Sequence, residues 1–217
     1  MGPAHKNGAD YWDNVASFMG SVDKATAITS SGIKAVYATG NHEYMNGQYD
    51  NFASNSSRQK IKFSDVGKEG SNYHIYLLGS ESGSASYSES QISKLSSYLD
   101  SVKDGKPIFI LTHFPLHYYN SYRTTNNALA VINVLNTAVE DNEQNIIFLW
   151  GHNHTEGDQH YDNVYKPGAT IQYDSNKKHL EEIKFTYAAA GAMADKGNGS
   201  SDQVLGKGMI VTVDGDN

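Results

Sequence analysis

The sequence predicts a layered α/β fold, because short apolar runs alternate with amphipathic helical segments along a chain of 217 residues. Three apolar runs have the length and composition of buried strands: Lys34–Thr39, Pro107–Thr112 and Asn145–Trp150. Each is followed at once by a turn that carries histidine, or asparagine and histidine. Ligands of open α/β sheets bind beyond the carboxyl ends of the strands, so these turns also predict where a functional site lies.

The first half of the chain is interpreted from helical spacing, strand composition and a capping signal. Its predicted elements are, in order, a helix over Ala9–Thr26, the strand Lys34–Thr39, an irregular polar excursion with a short helical piece over Gln48–Gly70, a strand over Asn72–Leu78, and a helix from Ser88 to about Lys103. Ser88 and Gln91 have the spacing of a capping box, and Asp104-Gly105 closes the helix that they begin.

The second half continues the alternation, and we see no repeat, linker or change of composition that would mark a second domain. Its predicted elements are the strand Pro107–Thr112, a helix over Asn126–Glu140, the strand Asn145–Trp150, and two late strands over Glu182–Ala189 and Gly208–Val213. We therefore expect one domain over residues 1–217.

Composition excludes several classes of function. The chain has 17 Lys and Arg against 24 Asp and Glu, a net charge of −7 without a basic stripe, which argues against binding to a nucleic-acid polymer. It has no cysteine, so disulfides, thiol nucleophiles and cysteine zinc sites are excluded. No apolar segment is long enough to span a bilayer, and we recognise no signal peptide. The abundance of Ser, Asn, Gly and Tyr resembles extracytoplasmic bacterial proteins, although composition alone leaves the location open.

The three strand-end turns contain residue types that bind metals. Asn41, His113 and His152 would each lie at the carboxyl end of a strand, and neutral imidazole is the commonest protein metal ligand. An amide oxygen with two imidazoles forms a mixed N/O site, which suits Mn, Fe, Zn or Ni better than Ca or Mg. The alternative for any single histidine is that it caps a strand or bonds a nearby carbonyl. Three correlated turns favour the metal site.

The turns also form an ordered set of motifs: Gly40-Asn41-His42-Glu43, then an isolated His113 after Thr112, then Gly151-His152-Asn153-His154. In this order, each behind an apolar strand, they resemble the calcineurin-like metallophosphoesterase superfamily, which includes purple acid phosphatases and phosphodiesterases. The resemblance implies a layered α/β/β/α sandwich with mixed sheets. It also implies hydrolysis of a small-molecule phosphoester by a phosphatase or phosphodiesterase. In that family a dinuclear metal site supplies a hydroxide that attacks phosphorus in line.

The resemblance implies a role for each motif residue. The implied ligands are Asn41, His113 and His152 for one metal ion and His154 for the other. His42 would protonate the leaving oxygen or stabilise phosphate charge, and Glu43 would orient His42.

Side chains after the second and third motifs are the remaining candidates. Those that would line a substrate cleft, unless they are ordinary surface packing, are His117, Tyr118, Tyr119 and Tyr122. His160, with Asp158 and Asp162, forms either a loop network or, in the favoured interpretation, part of a solvated loop.

Two further motifs of the superfamily, Asp-x-His and Gly-Asp-x-x-(Asp/Asn), are missing ahead of Gly40. We therefore expect that the chain is truncated at its N-terminus, and the strand Gly208–Val213, with nothing after it to pair with, points to clipping at the C-terminus as well. Without the bridging carboxylate, at most one metal ion and impaired hydrolysis are expected. Sheet edges left by the missing strands predict self-association. The competing hypothesis is a non-catalytic module that keeps the fold and binds metal or ligand.

Overall fold

The computed structural model describes residues 38–44, 67–69, 72–154, 157–191 and 208–214. The predicted helix Ala9–Thr26 lies outside the described residues, as do residues 34–37 of the first predicted strand and most of the segment Gln48–Gly70. The described elements are, in chain order, a 3-10 turn Asn41–Glu43, β1 (Gly67–Glu69), β2 (His74–Leu78), α1 (Glu89–Ser101), β3 (Ile108–Thr112), α2 (Ala128–Asn142), β4 (Ile146–Trp150), β5 (Val164–Tyr165), β6 (Thr170–Gln172), β7 (Leu180–Glu182) and β8 (Thr186–Ala189).

The main sheet of the described residues has six strands in the order β1-β2-β3-β4-β8-β5. Its four central strands, β2, β3, β4 and β8, run parallel, whereas the short edge strands β1 and β5 run antiparallel to their neighbours. Strands β6 and β7 pair antiparallel as a separate small sheet. The predicted α/β class is therefore confirmed, with a mostly parallel sheet at its centre.

The central strands form where continuous apolar residues allow burial on both faces of the sheet. On β3, Ile108 and Ile110 belong to one apolar cluster, while Phe109 and Leu111 belong to another on the opposite face. The larger cluster packs both helices against the sheet, and its fully buried helical members are Leu95, Leu99, Val131, Ile132 and Leu135. Burial of each such side chain contributes about 1.5–3 kcal/mol. The core therefore lies between the helices and one face of the sheet.

Helix α1 begins with the predicted capping box. Ser88 Oγ accepts a hydrogen bond from Gln91 N at 3.1 Å, and Gln91 Oε1 accepts one from Ser88 N at 3.2 Å. The helix ends at Ser101, and Gly105 then adopts a left-handed φ of 74° that suits glycine. Helix α2 begins after Asn127, two residues later than the sequence predicts. None of the described helices is long and apolar enough to cross a membrane.

The structure corrects three predicted segments. Glu182–Ala189 is not one strand: β7 ends at Glu182 and β8 begins at Thr186, because β7 pairs with β6 in the small sheet and β8 pairs with β4 in the main sheet. The predicted strand Gly208–Val213 is wrong, since residues 208–214 contain no strand. Alternating apolar residues form a strand only where a neighbour completes the hydrogen-bond ladder. Conversely, the polar segment predicted to be irregular contributes β1, which pairs with β2 at the sheet edge.

Candidate metal centre

Parallel pairing places the second and third motif turns side by side. Strands β3 and β4 pair in register up to Leu111 with Leu149, so their carboxyl ends reach the same edge of the sheet. The two turns follow at that edge, and Gly151 N donates a hydrogen bond to His113 O at 3.2 Å. The register of two buried strands thus fixes the spacing of two histidine-bearing turns.

The first motif reaches the same edge through the end of β2, the neighbour of β3. Thr39 O accepts a hydrogen bond from Ser80 N at 2.9 Å, and Thr39 Oγ1 donates one to Ser80 O at 3.1 Å. Both residues are buried. These two bonds hold the turn Asn41–Glu43 beside the carboxyl ends of the central strands.

The side chains of Asn41, His113 and His152 meet at this edge. His113 Nε2 lies 2.9 Å from Asn41 Oδ1 and 3.1 Å from His152 Nδ1. The two imidazole rings have centroids 4.9 Å apart and are inclined by 74°. His154, the fourth predicted ligand, lies near enough for its charge to act on both of these histidines. Three residues separated by up to 111 positions along the chain therefore come together around His113 Nε2, and their role as ligands stays a prediction.

This donor set suits a cation better than it suits a hydrogen-bond network. A neutral imidazole carries one N–H and one acceptor nitrogen. His113 Nε2 faces an amide oxygen and a second ring nitrogen at once, so one proton cannot give both contacts a full hydrogen bond. With the proton on Nε2, the two acceptor atoms share a single N–H; without it, the lone pair of Nε2 faces that of Asn41 Oδ1. A cation placed among the three atoms would accept all of their lone pairs.

The histidines of this centre are held in their neutral, metal-binding form. Burial, followed by the charges of the neighbouring histidines, lowers the pKa of His113 to about 3. Burial and then the charge of Arg123 lower the pKa of His152 to about 4, and the same two causes lower the pKa of His154. All three imidazoles are therefore uncharged at neutral pH and present lone pairs.

The backbone is fitted closely around the His113 ring. A Cβ added to Gly40 would lie 2.8 Å from two carbon atoms of that ring, so only glycine allows this approach. His152 adopts a left-handed φ of 71°, which is uncommon for a residue with a side chain. Such conformations persist where the surrounding structure enforces them, and they cluster at functional sites.

His42 and Glu43 lie in the 3-10 turn that carries Asn41. Glu43 Oε2 accepts a hydrogen bond from Gly40 N at 2.6 Å, so this carboxylate closes its own turn. Burial raises the pKa of Glu43, and that hydrogen bond opposes the rise. The charge of His42 acts on His113, His152 and His154, which puts it beside the centre. The catalytic roles of His42 and Glu43 stay predictions.

Arg123 belongs to the centre, although sequence reasoning missed it. Its Nη1 donates a hydrogen bond to His152 O at 2.6 Å, and its charge lowers the pKa of His113, His152 and His154. The only available signal was a lone arginine in a Tyr/Asn-rich loop of an acidic chain. It brings a permanent positive charge to the strand-end edge.

The candidate substrate residues lie in different surroundings. Tyr122 is 92% exposed, and Tyr118 is half-buried with its backbone N donating to Gln172 O at 2.7 Å. His117 is 1% exposed, and its two ring nitrogens contact Tyr187 and Asp158. Substrate binding by His117 and Tyr118 stays a prediction.

The interpretation of His160 and Asp158 as parts of a solvated loop is wrong. Each is 3% exposed, because the loop folds inward against His117. Asp158 is buried although its neighbours in the sequence are polar, because a hydrogen-bond donor from a distant part of the chain, His117 Nε2, contacts its carboxylate.

Histidine and carboxylate side chains alone do not complete a metal site here. Within the part of the chain that the structure describes, no three His, Asp or Glu side chains converge on one point. The centre consists of two imidazoles and one amide. Histidine and carboxylate side chains therefore account for two of the three protein ligands that are typical of catalytic zinc. Asn41 Oδ1, 2.9 Å from His113 Nε2, is the third polar atom of this group, and its role as a ligand stays a prediction.

Comparison of the chain with protein-family profiles, with curated proteins and with solved structures finds no match in any of the three. The membership in a superfamily implied by the three motifs therefore stays a prediction that depends on the motifs and on the geometry of the centre.

Proposed function

We propose that this α/β domain is a metal-dependent phosphoester hydrolase of the metallophosphoesterase type, with the four-layered α/β/β/α sandwich of that superfamily. The observation that carries the proposal is that His113 Nε2 lies 2.9 Å from Asn41 Oδ1 and 3.1 Å from His152 Nδ1. These atoms would hold one divalent transition metal, Mn, Fe, Zn or Ni. His154 is the candidate ligand of a second ion.

Two features around the donor atoms support a binding centre over a strand cap. A histidine that only caps a strand has no need of a left-handed backbone, yet His152 has a φ of 71°. Nor does it need a glycine against its ring, yet Gly40 leaves no room for a methyl group beside His113. Both features restrict where the two imidazoles point.

A divalent metal at this position would supply charge stabilisation to a phosphoryl group and would lower the pKa of water that attacks it. The residues of the chain would do the rest. Arg123 would attract the phosphoester by its fixed charge, since a guanidinium binds phosphate oxygens in pairs. His42 would give a proton to the leaving oxygen.

A non-catalytic metal-binding module is the second candidate, and one observation favours it. Glu43, the carboxylate of the first turn, accepts a hydrogen bond from Gly40 N at 2.6 Å and so closes its own turn. Two imidazoles and an amide would hold one cation without a bridging carboxylate. Binding without turnover is the signature of this candidate.

Calorimetric titration with Mn²⁺ and Zn²⁺, together with hydrolysis of p-nitrophenyl phosphate and its bis-ester, tests both candidates. The hydrolase predicts metal binding and Mn-dependent turnover, both lost in His113→Ala and His152→Ala. The matched control is His179→Ala, which replaces an exposed histidine bonded to Asp174 in the segment between β6 and β7, and it should retain both. Binding without turnover favours the module. Turnover that is indifferent to both histidine substitutions contradicts the proposal.

A further inference from the structure

A single buried carboxylate joins the two turns that carry the histidines of the candidate metal centre. Asp158 Oδ2 accepts a hydrogen bond from His117 Nε2 at 2.7 Å and another from Asn153 Nδ2 at 2.6 Å. Its Oδ1 accepts a third, from His160 N at 2.8 Å. Each of the three side chains Asp158, His117 and Asn153 is at most 3% exposed.

The two partners of Asp158 come from different motifs. Asn153 lies between His152 and His154, and His117 lies four residues after His113. Asp158 therefore connects the third-motif turn to the segment that follows the lone histidine.

The inward direction of Asn153 determines the direction of its neighbours. Asn153 is 2% exposed, whereas His152 and His154 on either side are only half-buried. The bond to Asp158 pulls the middle residue into the protein, so the two histidines are turned toward the opposite side. Arg123 holds the same turn from outside through His152 O, at 2.6 Å.

The network continues beyond the carboxylate. The carboxylate accepts from His117 Nε2, and His117 Nδ1 lies 2.6 Å from Tyr187 Oη. Tyr187 Oη in turn accepts from Leu116 N at 2.9 Å. Burial alone would raise the pKa of Asp158, but the hydrogen bonds from His117, His160 and Asn153 hold it below its ordinary value. Asp158 is therefore a buried, charged anchor that accepts three hydrogen bonds.

We propose that Asp158 is a positioning residue of the metal centre: through Asn153 and His117 it fixes both histidine turns and so sets the metal affinity. A buried charge is costly and is poorly explained as packing, because a neutral side chain of this size would fill the space. Residues that orient metal ligands from behind typically change metal affinity about 10–100-fold when they are replaced. This inference rests on the proposed function, since it assigns Asp158 to the same centre.

The chain offers a matched control for this carboxylate. Asp174 forms a second Asp–His pair, with His179, at the same 2.7 Å, but both side chains are exposed, in the segment that connects β6 to β7. Asp158→Asn and Asp174→Asn therefore make the same chemical change to pairs of equal length. They differ in burial and in connection to the histidine turns.

Zn²⁺ affinity by calorimetry and the visible spectrum of the Co²⁺-loaded protein are the measurements. Asp158→Asn should weaken Zn²⁺ binding about 10–100-fold and shift the Co²⁺ bands, while Asp174→Asn leaves both unchanged. Asn153→Ala is the second variant, because it removes only the link to the third-motif turn and keeps the His117–Asp158 pair. It should reproduce the loss of affinity even where Asp158→Asn fails to fold. Wild-type affinity in a folded Asn153→Ala or Asp158→Asn protein overturns the inference and leaves the proposed function intact.

If the wild-type protein binds no metal, the proposed function fails, and a metal-free measurement decides whether Asp158 positions the turns. Nitrogen-15 shifts of the imidazoles of His113 and His152 report their hydrogen bonding. Asn153→Ala should move both sets of signals and Asp174→Asn neither. Unchanged His152 signals in Asn153→Ala would then overturn the positioning role by itself.

Discussion

Gly40 is the residue whose substitution tests the geometry of the centre most sharply. In Gly40→Ala the new methyl carbon would lie 2.8 Å from the His113 ring, whereas ordinary contacts begin at 3.4 Å, so the ring must retreat by about 0.6 Å. Metal–ligand distances tolerate about 0.2 Å. The displacement is thus several times what a bound cation accepts, and we expect a loss of Zn²⁺ affinity of at least about tenfold.

The assay for Gly40→Ala is calorimetric titration with Zn²⁺, with urea unfolding of the metal-free protein alongside it. Overpacking of this kind costs about 1–3 kcal/mol of unfolding free energy. Gly83→Ala is the matched control, because its added methyl group would meet only Asn41 O, at 4.0 Å. Wild-type Zn²⁺ affinity in a folded Gly40→Ala protein would show that His113 is not a ligand, and would refute the reasoning.

Three further predictions concern charge, substrate and folding. The pKa values of His113 (about 3), His152 (about 4) and His160 (about 4) lie below the ordinary value. Below about pH 6.5 the unfolded chain therefore binds protons at these histidines that the folded protein does not bind. The unfolding free energy of the metal-free protein should therefore fall from about pH 6.5 down to about pH 4, by up to about 1.4 kcal/mol per pH unit for each histidine; urea titrations across this range check it, and a flat profile contradicts it. Arg123→Gln should raise KM for p-nitrophenyl phosphate more than it lowers kcat and should weaken inhibition by inorganic phosphate, whereas unchanged steady-state constants would remove Arg123 from substrate binding. Ser88→Ala removes the capping box of α1 and should lower the unfolding free energy by about 1 kcal/mol without altering Zn²⁺ affinity, as urea unfolding and calorimetry would measure.

The sequence predicted the parts of the fold that have a strong local signal. Strands β2, β3 and β4 are continuous apolar runs, and the helix that begins at Ser88 has both a capping box and an apolar face. The meeting of His113 and His152 was also predictable, because the parallel strands β3 and β4 align their carboxyl ends. The relevant information lies within a few residues of each turn.

The rest depends on partners that lie far along the chain. Strands of two or three residues, such as β5 and β6, have too little periodicity to be recognised. Asp158 is buried because His117, 41 positions earlier, donates to it, and nothing in the polar loop around Asp158 indicates this. Arg123 reaches the centre through a single bond to the backbone of His152, which no local pattern encodes.

X-ray absorption at the zinc edge, recorded on the protein loaded with one equivalent of Zn²⁺, tests the central claim most directly. Shared coordination by Asn41, His113 and His152 predicts two imidazole nitrogens at about 2.0–2.1 Å and an oxygen, with one imidazole lost in His113→Ala. A spectrum without imidazole scattering, or one that neither His113→Ala nor His152→Ala changes, would contradict the account.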